Sequence, residues 1–411
     1  MVQINSGDTV SSEESPGKTN IRTWMLPFGL FLFVLAIESI DASSFAPVMA
    51  QIKRAWDMTG THVGIYTGMA GLIPLLVAVP IGEAVRRWGA KRSVMGSMAI
   101  IFIGTIIMAT AKGFAQGLTG RIFAAGGLRM GTVASWAGAT MIAPASVRTT
   151  AWTVMNTALA VGAITGPLLV GGYIGGNFGW QAVFFTMSAL SVFCILLIGF
   201  FLRMPSAGIA ASESTVASTT ASRFNVYKCW DIYLMGIIFT LMIGSSLVTI
   251  MSFAPLAMEQ RWHMDPQSIG NILGLSNSVG LPVMLVAGAL ADRLRTRKKI
   301  MIATAIPMAV GLFMLISQDQ TIFTLGLVGY LGFAFAPGAM LYACAPEMVP
   351  KGTNLGPVYG LLSTISSAGA FVTPIIVGWI RDATGDYNTG FILLGTLCTL
   401  SLLLSFKLRA R

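Results

Sequence analysis

The sequence predicts an all-α membrane protein whose twelve transmembrane helices form two parallel six-helix repeats. The 411-residue chain is 55% hydrophobic and only 10% charged, with a mean hydropathy of +0.75. Soluble proteins carry roughly 25% charged residues, because their surface faces water. Two further observations support the prediction: apolar stretches long enough to cross a bilayer, and a recurrence of the first half of the chain in the second.

Each apolar stretch comes close to or exceeds the ~20 residues needed to cross a bilayer. The stretches lie at 24–49, 62–85, 93–111, 115–142, 150–175, 181–202, 232–257, 267–291, 299–317, 321–345, 355–380 and 388–406. Residues 1–21 are polar and lack the basic start of a signal peptide, so we expect a disordered cytoplasmic tail. A run rich in serine, threonine and alanine predicts a flexible cytoplasmic linker at 204–228. It separates an N-terminal bundle (22–203) from a C-terminal bundle (229–411).

The distribution of lysine and arginine predicts the orientation of the chain. The tails and the even-numbered loops carry most of these residues, and cytoplasmic loops of membrane proteins are enriched in them. We therefore expect both termini in the cytoplasm, with the chain in a bacterial inner (plasma) membrane. The net charge of +10 is then a signal of topology, and no nucleic-acid partner is needed to explain it.

Self-similarity at an offset of about 206 residues relates the two bundles. The segment 44–47 (Ser-Phe-Ala-Pro) recurs at 252–255. Other recurring residues are Trp56, Gly64, Gly82 and Pro167, which return as Trp262, Gly270, Gly288 and Pro374. Because each repeat holds an even number of helices, both enter the membrane in the same direction. Parallel repeats with a binding site at their interface are one architecture of secondary transporters.

A short motif follows the second helix of each repeat. In the second repeat, Gly288 is followed by Asp292 and Arg293 and then by the basic cluster 297–299. This pattern resembles the signature of the major facilitator superfamily, and the resemblance covers nearly the whole chain. It implies the fold of that family, secondary active transport, and a cytoplasmic latch between the halves that involves the acid of the motif.

The first repeat departs from the signature. Gly82 is followed by Arg86, where the family usually has aspartate, and then by Arg87. The resemblance assigns this segment to the cytoplasmic gate, and the altered residue puts its latch in question. Glu83, one turn before Arg87, is the acid that could substitute for the missing aspartate.

Helices 4 and 5 carry two further resemblances to the family. Arg121 is similar to the arginine that the family has in helix 4. Helix 5 contains Gly162, Gly166 and Pro167, similar to a glycine–proline motif associated with antiporters. Its last glycine pair comes one residue late, and symporters have related patterns, so the motif does not predict the direction of transport. We expect these residues to permit close packing and bending of the helix.

Four ionisable residues fall well inside the predicted hydrocarbon region: Glu38 and Asp41 in helix 1, and Arg121 and Arg129 in helix 4. Charges at such depth cost roughly 2.5–3.5 kcal/mol each, so we expect them to be paired and to indicate function. Glu38 and Arg129 fall near mid-membrane, and Asp41 and Arg121 fall nearer the outer side. The second repeat has uncharged residues at the matching positions.

Two interpretations of these four residues remain open. In the first, they form a coupling site, in which a carboxylate takes up a proton and an arginine, Arg129 above all, contacts the substrate. In the second, they are two buried ion pairs that fix helix 1 against helix 4. The sequence also offers residues that could line a cavity, namely Trp136, Asn156, Asn271, Asn277 and Tyr359.

Taken together, these features predict a proton-coupled secondary active transporter that moves a small organic anion by alternating access. The alternative is a proton-coupled exporter of cationic drugs, with Glu38 or Asp41 binding the cation; a non-transporting sensor or an intramembrane enzyme ranks below both.

The sequence has no Gly-rich loop followed by Lys-Ser or Lys-Thr and no hydrolase or paired-cysteine motif. We therefore expect no enzymatic activity, catalytic residue, metal or cofactor. The expected partners are a small-molecule substrate, protons and the lipid bilayer, and we expect a monomer.

Overall fold

The computed structural model describes residues 21–143, 148–202, 229–294, 296–345, 348–350 and 356–408, and every regular element within them is helical. The first half contains α1 (Ile21–Ser44), α2 (Met49–Ala55), α3 (Gly60–Ala109), α4 (Phe114–Ile142), α5 (Arg148–Thr165), a π-helical segment (Gly166–Ile174), α6 (Gly175–Phe178) and α7 (Trp180–Phe201). The second half contains α8 (Trp230–Phe239), a π-helical segment (Thr240–Gly244), α9 (Ser246–Trp262), α10 (Pro266–Leu294), α11 (Arg297–Met314), α12 (Gln320–Cys344), α13 (Gly356–Thr384) and α14 (Asn388–Ser405). The predicted linker 204–228 and, apart from its last residue, the predicted tail 1–21 lie outside the described residues.

These helices form the twelve predicted spans. Helix α3 contains two of them, because Gly89 interrupts it with a positive φ of 76°. Helices α5 and α6 form one span with the π segment between them, and α8 and α9 form another in the same way. In the described part of the chain, ten stretches are long and apolar enough to cross a membrane. The spans α4 and α11 are less apolar, because α4 is rich in glycine and carries two arginines and α11 begins with Arg297, Lys298 and Lys299.

The repeat is visible in individual hydrogen bonds. Lys91 Nζ, at the start of the third span, donates to the carbonyl oxygens of Gly199 at 3.0 Å and Leu202 at 2.7 Å, at the end of the sixth span. Lys298 donates in the same way to two carbonyl oxygens just past α14. Cations favour the C-terminal ends of helices, where carbonyl groups lack intrahelical partners. The last span of each half is therefore tied to its third span.

The two halves meet through glycines at one face of the molecule. We call this face, where α3 begins at Gly60, the seam face, and the opposite face, where α3 is interrupted at Gly89, the basic face. Along α3, Gly60, Gly64, Gly68 and Gly71 lie against the backbone of α13, and a methyl group at any of them would collide with it. Small residues allow such backbone-to-backbone approach in lipid, where no hydrophobic effect drives helices together.

The symmetry-related contact joins the π segment after α5 to α10. Gly172 and Gly270 pack against each other, and Gly274 lies beside the carbonyl oxygen of Ile164. Pro167 begins this stretch, and its missing N–H breaks the regular ladder, as expected at a π-helical segment. The seam therefore has two glycine-lined contacts, related by the repeat.

The halves separate toward the basic face. No described atom lies within 4 Å of a methyl group built at Gly82 or Gly288, the first glycines of the two gate motifs. Asp292 and Arg293 lie in the last turns of α10. Because glycine contacts join the halves at the seam face and none is described at the two gate glycines, we infer a space between the halves that opens toward the basic face.

The acid of the first gate motif is engaged within its own helix. Glu83 accepts hydrogen bonds from Arg86 at 2.7 and 2.6 Å and also from Arg87. All three side chains are exposed. These hydrogen bonds of Glu83 all lie within its own helix, so in this conformation its role is to neutralise the two arginines that follow it.

A carboxylate from the second half caps a helix of the first half. Asp382 in α13 accepts hydrogen bonds from the backbone N–H groups of Gly60 at 2.6 Å and Thr61 at 2.7 Å, and from Thr61 Oγ1 at 2.8 Å. The next free N–H of α3, that of His62, is capped by Thr59. The first N–H groups of a helix have no intrahelical partner and favour a negative charge. The N-terminus of α3 is therefore completed by both halves of the molecule.

This cap has no counterpart across the pseudo-twofold axis. Gly175 and Pro266 occupy the positions that match Asp382 and Gly60, and a proline has no N–H to donate. A second polar contact across the seam is equally asymmetric. Arg54 pairs with Glu259, the residue that matches Lys53 in the repeat.

We predict that a side chain at Gly64 prevents the seam from closing. A methyl group there overlaps the carbonyl oxygen of Pro374, and backbone atoms cannot move aside cheaply. In Gly64→Val, the distance between spin labels at Lys112→Cys and Gln318→Cys, exposed matching positions on the seam face, should increase. Double electron–electron resonance in a background without the four native cysteines measures it. Gly29→Val is the control, since no described atom lies within 4 Å of a methyl group there; an equal effect in both variants would contradict the prediction.

We predict that Asp382→Ala weakens the closed seam without unfolding the protein. Three donors lose their acceptor, and removal of a helix cap typically costs about 1 kcal/mol, which shifts a two-state equilibrium roughly fivefold. The same pair of spin labels should report a larger population with long distances. Asp265→Ala removes an exposed acid from the same face and should leave the distribution unchanged. An unaltered distribution in Asp382→Ala would show that the cap does not hold the halves together.

Candidate functional site

Arg129 reaches from the first half to the second. It lies near the middle of α4, and its Nη2 donates a hydrogen bond to Ser363 Oγ of α13 at 3.3 Å. Its Nε is buried without a hydrogen-bond partner, and no described acid lies within ion-pair distance of it. A guanidinium offers five N–H donors in a planar fork. Most of this capacity is free in the space between the halves, where an anionic group could accept it.

One tyrosine of the second half lies near the Arg129 guanidinium, and a second tyrosine lies beside the first. The phenol of Tyr342 in α12 lies within electrostatic range of it, and the ring of Tyr342 lies 5.8 Å from that of Tyr359. Tyr359 precedes Ser363 by four residues in α13, so the two share a helix face. The site therefore combines one cation from the first half with a hydroxyl group and two phenol rings from the second.

Glu38 lies on the other side of α4, inside the first half. It is only 2% exposed, and its Oε2 is 3.0 Å from Thr132 Oγ1. The carboxyl group occupies the space beside Gly131, where a methyl group would overlap Oε1. Oε1 itself has no hydrogen-bond partner. The absence of a side chain at Gly131 thus gives this acid its place in the core.

Asp41 and Arg121 lie together nearer the seam face. Asp41 is 6% exposed and Arg121 is 3% exposed, and the Arg121 guanidinium is the nearby positive charge that acts on Asp41. The guanidinium stacks over the rings of Phe45 at 4.6 Å and Tyr66 at 5.5 Å. A desolvated cation over aromatic faces is stabilised by about 2 kcal/mol. Arg121 is therefore held by rings of the first half and is sealed from the space between the halves.

The two ion pairs considered from the sequence do not form. No described carboxylate oxygen lies within 4 Å of Arg121 or Arg129. Glu38 contacts Thr132 of α4, whereas Arg129 contacts Ser363 of α13. Thr132 thus faces α1, and Arg129 faces the second half. The structural interpretation as paired charges is therefore wrong for these contacts.

The glycine–proline motif of helix 5 packs against α1. Gly162 lies against the backbone of Ala36 and Ile40, and Gly166 lies against Ser43. Pro167, one residue on, contributes its carbonyl oxygen to the contact with α10. These residues bring α1, which carries the two buried acids, close to the seam between the halves.

Three residues near the site escape sequence reasoning: Ser363, Tyr342 and Trp152. The repeat itself would have identified two of them. Adding 206 to Trp136 gives Tyr342, and subtracting 207 from Tyr359 gives Trp152. Ser363 is one of several serines and threonines of its span, and nothing in the sequence distinguishes it.

Comparison with known proteins gives consistent results along the whole chain. A family model described as Major Facilitator Superfamily matches residues 31–249 and 233–411. The 3-(3-hydroxy-phenyl)propionate transporter of Escherichia coli (strain K12) is 24% identical, over 89% of this chain and 89% of that protein. The probable nitrate transporter NarT of Staphylococcus epidermidis is 21% identical, over 90% and 92%. The probable galactarate/D-glucarate transporter GudP of Bacillus subtilis (strain 168) is 22% identical, over 94% and 92%.

Solved structures share the fold at low sequence identity. A D-xylose-proton symporter matches with a TM-score of 0.74 and 15% identity, covering 95% of this chain and 98% of that chain. A bacterial homolog of the human lysosomal transporter Spinster, in an inward-facing and occupied conformation, matches with a TM-score of 0.74 and 15% identity, covering 95% and 97%. The architecture of two six-helix halves is therefore one that these proteins have in common.

We predict that Asp41 and Arg121 are energetically coupled although they form no direct ion pair. Arg121→Met keeps the length of the side chain but leaves the buried Asp41 carboxylate without its positive neighbour, which should destabilise the protein by roughly 1–3 kcal/mol. Adding Asp41→Asn should recover part of that loss. Thermal unfolding of the single and double variants in detergent gives the coupling energy. Strictly additive effects would mean that the two side chains act independently.

Proposed function

The chain belongs to the major facilitator superfamily and is a multi-pass membrane transporter of small molecules rather than an enzyme, and on that basis we propose that it moves a small organic anion, coupled to protons. The observation that carries the proposal is the position of Arg129 at the interface of the halves, with unused donors and no acid among the described residues within ion-pair distance. An isolated cation in a low-dielectric cavity is stabilised by an anionic ligand. The anionic substrate would supply the negative charge for an ion pair with Arg129.

The relatives support an anionic substrate. Their names refer to a phenylpropionate, to nitrate and to the sugar acids galactarate and glucarate, all of which are negatively charged at neutral pH. The relatives are at most 24% identical, so their individual substrates do not transfer to this chain. The charge that these substrates share agrees with the charge that Arg129 favours.

Glu38 is the proposed proton site. Thr132 Oγ1 has one hydroxyl proton but lies close to two acceptors, the carbonyl oxygen of Leu128 at 2.8 Å and Glu38 Oε2 at 3.0 Å. If Thr132 donates to the nearer carbonyl, its oxygen remains free to accept a hydrogen bond from the O–H of a neutral Glu38. A neutral carboxyl group also fits a site that has no cation within ion-pair distance. In our proposal, Glu38 is protonated in the described conformation.

The coupling runs through α4. Arg129 and Thr132 are less than one turn apart in this helix, so a change in the charge of Glu38 acts on the segment that positions the guanidinium. In our proposal, the N-terminal bundle (22–203) and the C-terminal bundle (229–411) rock about the site as a single-chain monomer. The basic face is the cytoplasmic one, because lysine and arginine accumulate there. Both termini then lie in the cytoplasm of a bacterial inner membrane, and the described conformation is open to the cytoplasm.

The alternative of a cation exporter is less well supported. It requires Glu38 or Asp41 to contact a cationic substrate, and both carboxyl groups are sealed inside the first half. Arg129 is the ionisable group of the four that extends into the space between the halves. A cationic substrate that entered this space would meet a positive charge first.

The proposal is tested by anion flux into proteoliposomes made with the purified full chain. A panel of aromatic, aliphatic and sugar acids, nitrate and cationic drugs is offered with and without an imposed pH gradient. We expect an organic acid to accumulate when the gradient is present, and Arg129→Gln to weaken its binding about 10- to 100-fold, the value of a charge-assisted hydrogen-bond pair. Glu38→Gln should retain binding but lose the response to the gradient.

The control for the charge change is Arg92→Gln, which removes an exposed arginine from the basic face. It should leave both binding and flux unchanged. Export of a cationic drug, or full anion transport by Arg129→Gln, would overturn the proposal.

A further inference from the structure

The repeat places two aromatic pairs at matching positions near the site. In the first half, the ring of Trp136 in α4 lies 4.6 Å from that of Trp152 in α5. In the second half, Tyr342 in α12 and Tyr359 in α13 occupy the corresponding positions, and their rings lie 5.8 Å apart. Both copies have kept an aromatic pair at this place, although their residue types have diverged.

These rings are not part of the sealed core. Trp152 is 48% exposed, and the other three are half-buried. Exposed tryptophan and tyrosine also occur where a membrane protein meets the lipid headgroups, so exposure by itself does not indicate a ligand. The second pair, however, borders the cation of the site: Tyr342 is within electrostatic range of Arg129, and Tyr359 is one turn from the Ser363 that Arg129 contacts.

The first pair is also aligned with that cation. Trp136 follows Arg129 by seven residues in α4, which is two turns and therefore nearly the same helix face. The rise over seven residues is about 10 Å, directed toward the basic face. A ligand whose anionic group binds Arg129 would thus extend past the rings toward the open side of the space between the halves.

The geometry points to an aromatic carboxylate as the substrate class of the site; this inference rests on the proposed function. The carboxylate binds Arg129, and a planar ring a short chain away packs against Tyr342 and Tyr359, with Trp136 and Trp152 on the side of the first half. Aromatic rings attract one another in offset or edge-to-face arrangements beyond their apolar burial. An inorganic or purely aliphatic anion would use the arginine but none of these rings.

The test compares acids that differ only in the ring. Calorimetric titration of the purified full chain measures the affinities of phenylacetate, 3-phenylpropanoate and 4-phenylbutanoate, each against its cyclohexyl counterpart. The cyclohexyl acids are more apolar, so binding driven only by apolar burial would favour them. We expect at least one phenyl acid to bind about three- to tenfold more tightly than its counterpart, the ratio that corresponds to one aromatic pair.

A variant and its control assign the preference to the rings. Tyr359→Leu should abolish the preference for the phenyl acid while leaving the affinity for the cyclohexyl acid nearly unchanged. Tyr173→Leu removes an exposed tyrosine of the π segment after α5 and should retain the preference.

The outcomes separate this inference from the proposed function. If phenyl and cyclohexyl acids bind equally and Arg129→Gln abolishes both, the anion site stands and the aromatic inference is overturned. If neither class binds, while another anion binds through Arg129, the inference is again overturned alone. If no anion binds through Arg129, the proposed function itself fails. A preference that persists in Tyr359→Leu would also overturn the assignment to this pair.

Discussion

The close approach of backbone to backbone at the seam face is the constraint on which the rest of the structure depends. In a bilayer, lipid tails solvate apolar side chains as well as another helix does, so the halves adhere only where main chains come close enough for dense van der Waals contact. Four glycines of α3 against α13 and the pair Gly172 and Gly270 provide this contact. Their position at one face decides where the space between the halves opens, and so from which side Arg129 is accessible.

The duplication supplies a symmetric scaffold, and divergence between the copies supplies the polar contacts. One contact is the same in both copies: Lys91 and Lys298, each at the start of the third span of its half, donate hydrogen bonds to the carbonyl oxygens at the end of the last span. The seam shows what changed. Lys53 in one copy is Glu259 in the other, and residues near a twofold axis meet their own counterparts. Because Glu259 replaces the lysine of the first copy, it pairs with Arg54, the neighbour of Lys53, whereas an unchanged copy would have placed like charges together.

The sequence predicts the architecture well, because length, hydropathy and the repeat are each sufficient for it. The twelve spans and the two parallel repeats are confirmed by the helices and by the family match. The side-chain contacts of the candidate site are harder to predict from the sequence. Periodicity fixes the rotation of a helix in water, where one face must be polar, but in lipid no face of a helix such as α4 is required to be polar. Depth alone pairs Glu38 with Arg129, whereas in the structure Glu38 contacts Thr132 and Arg129 contacts Ser363 of the second half.

The cap that Asp382 forms could not be predicted for a different reason. It joins residues more than 300 positions apart, outside the repeat relation, so neither local pattern nor internal symmetry indicates it. The contact between Asp382 and the N–H group of Gly60 depends on how the two halves pack against each other, and only the folded molecule defines that packing. The aromatic pairs lie at the other extreme, since their positions follow from the repeat alone.

The cleft beside Gly131, into which the Glu38 carboxyl group fits, constrains how this protein can evolve. Position 131 can acquire a side chain only after position 38 has lost its acid or shortened, because the reverse order leaves two groups in the volume of one. Substitutions at these two positions must therefore occur in a fixed order. Once position 131 carries a side chain, a carboxyl group can no longer be regained at position 38 without a steric clash. A homologue with a larger residue at 131 should have abandoned this acid, and with it whatever ion the acid carries.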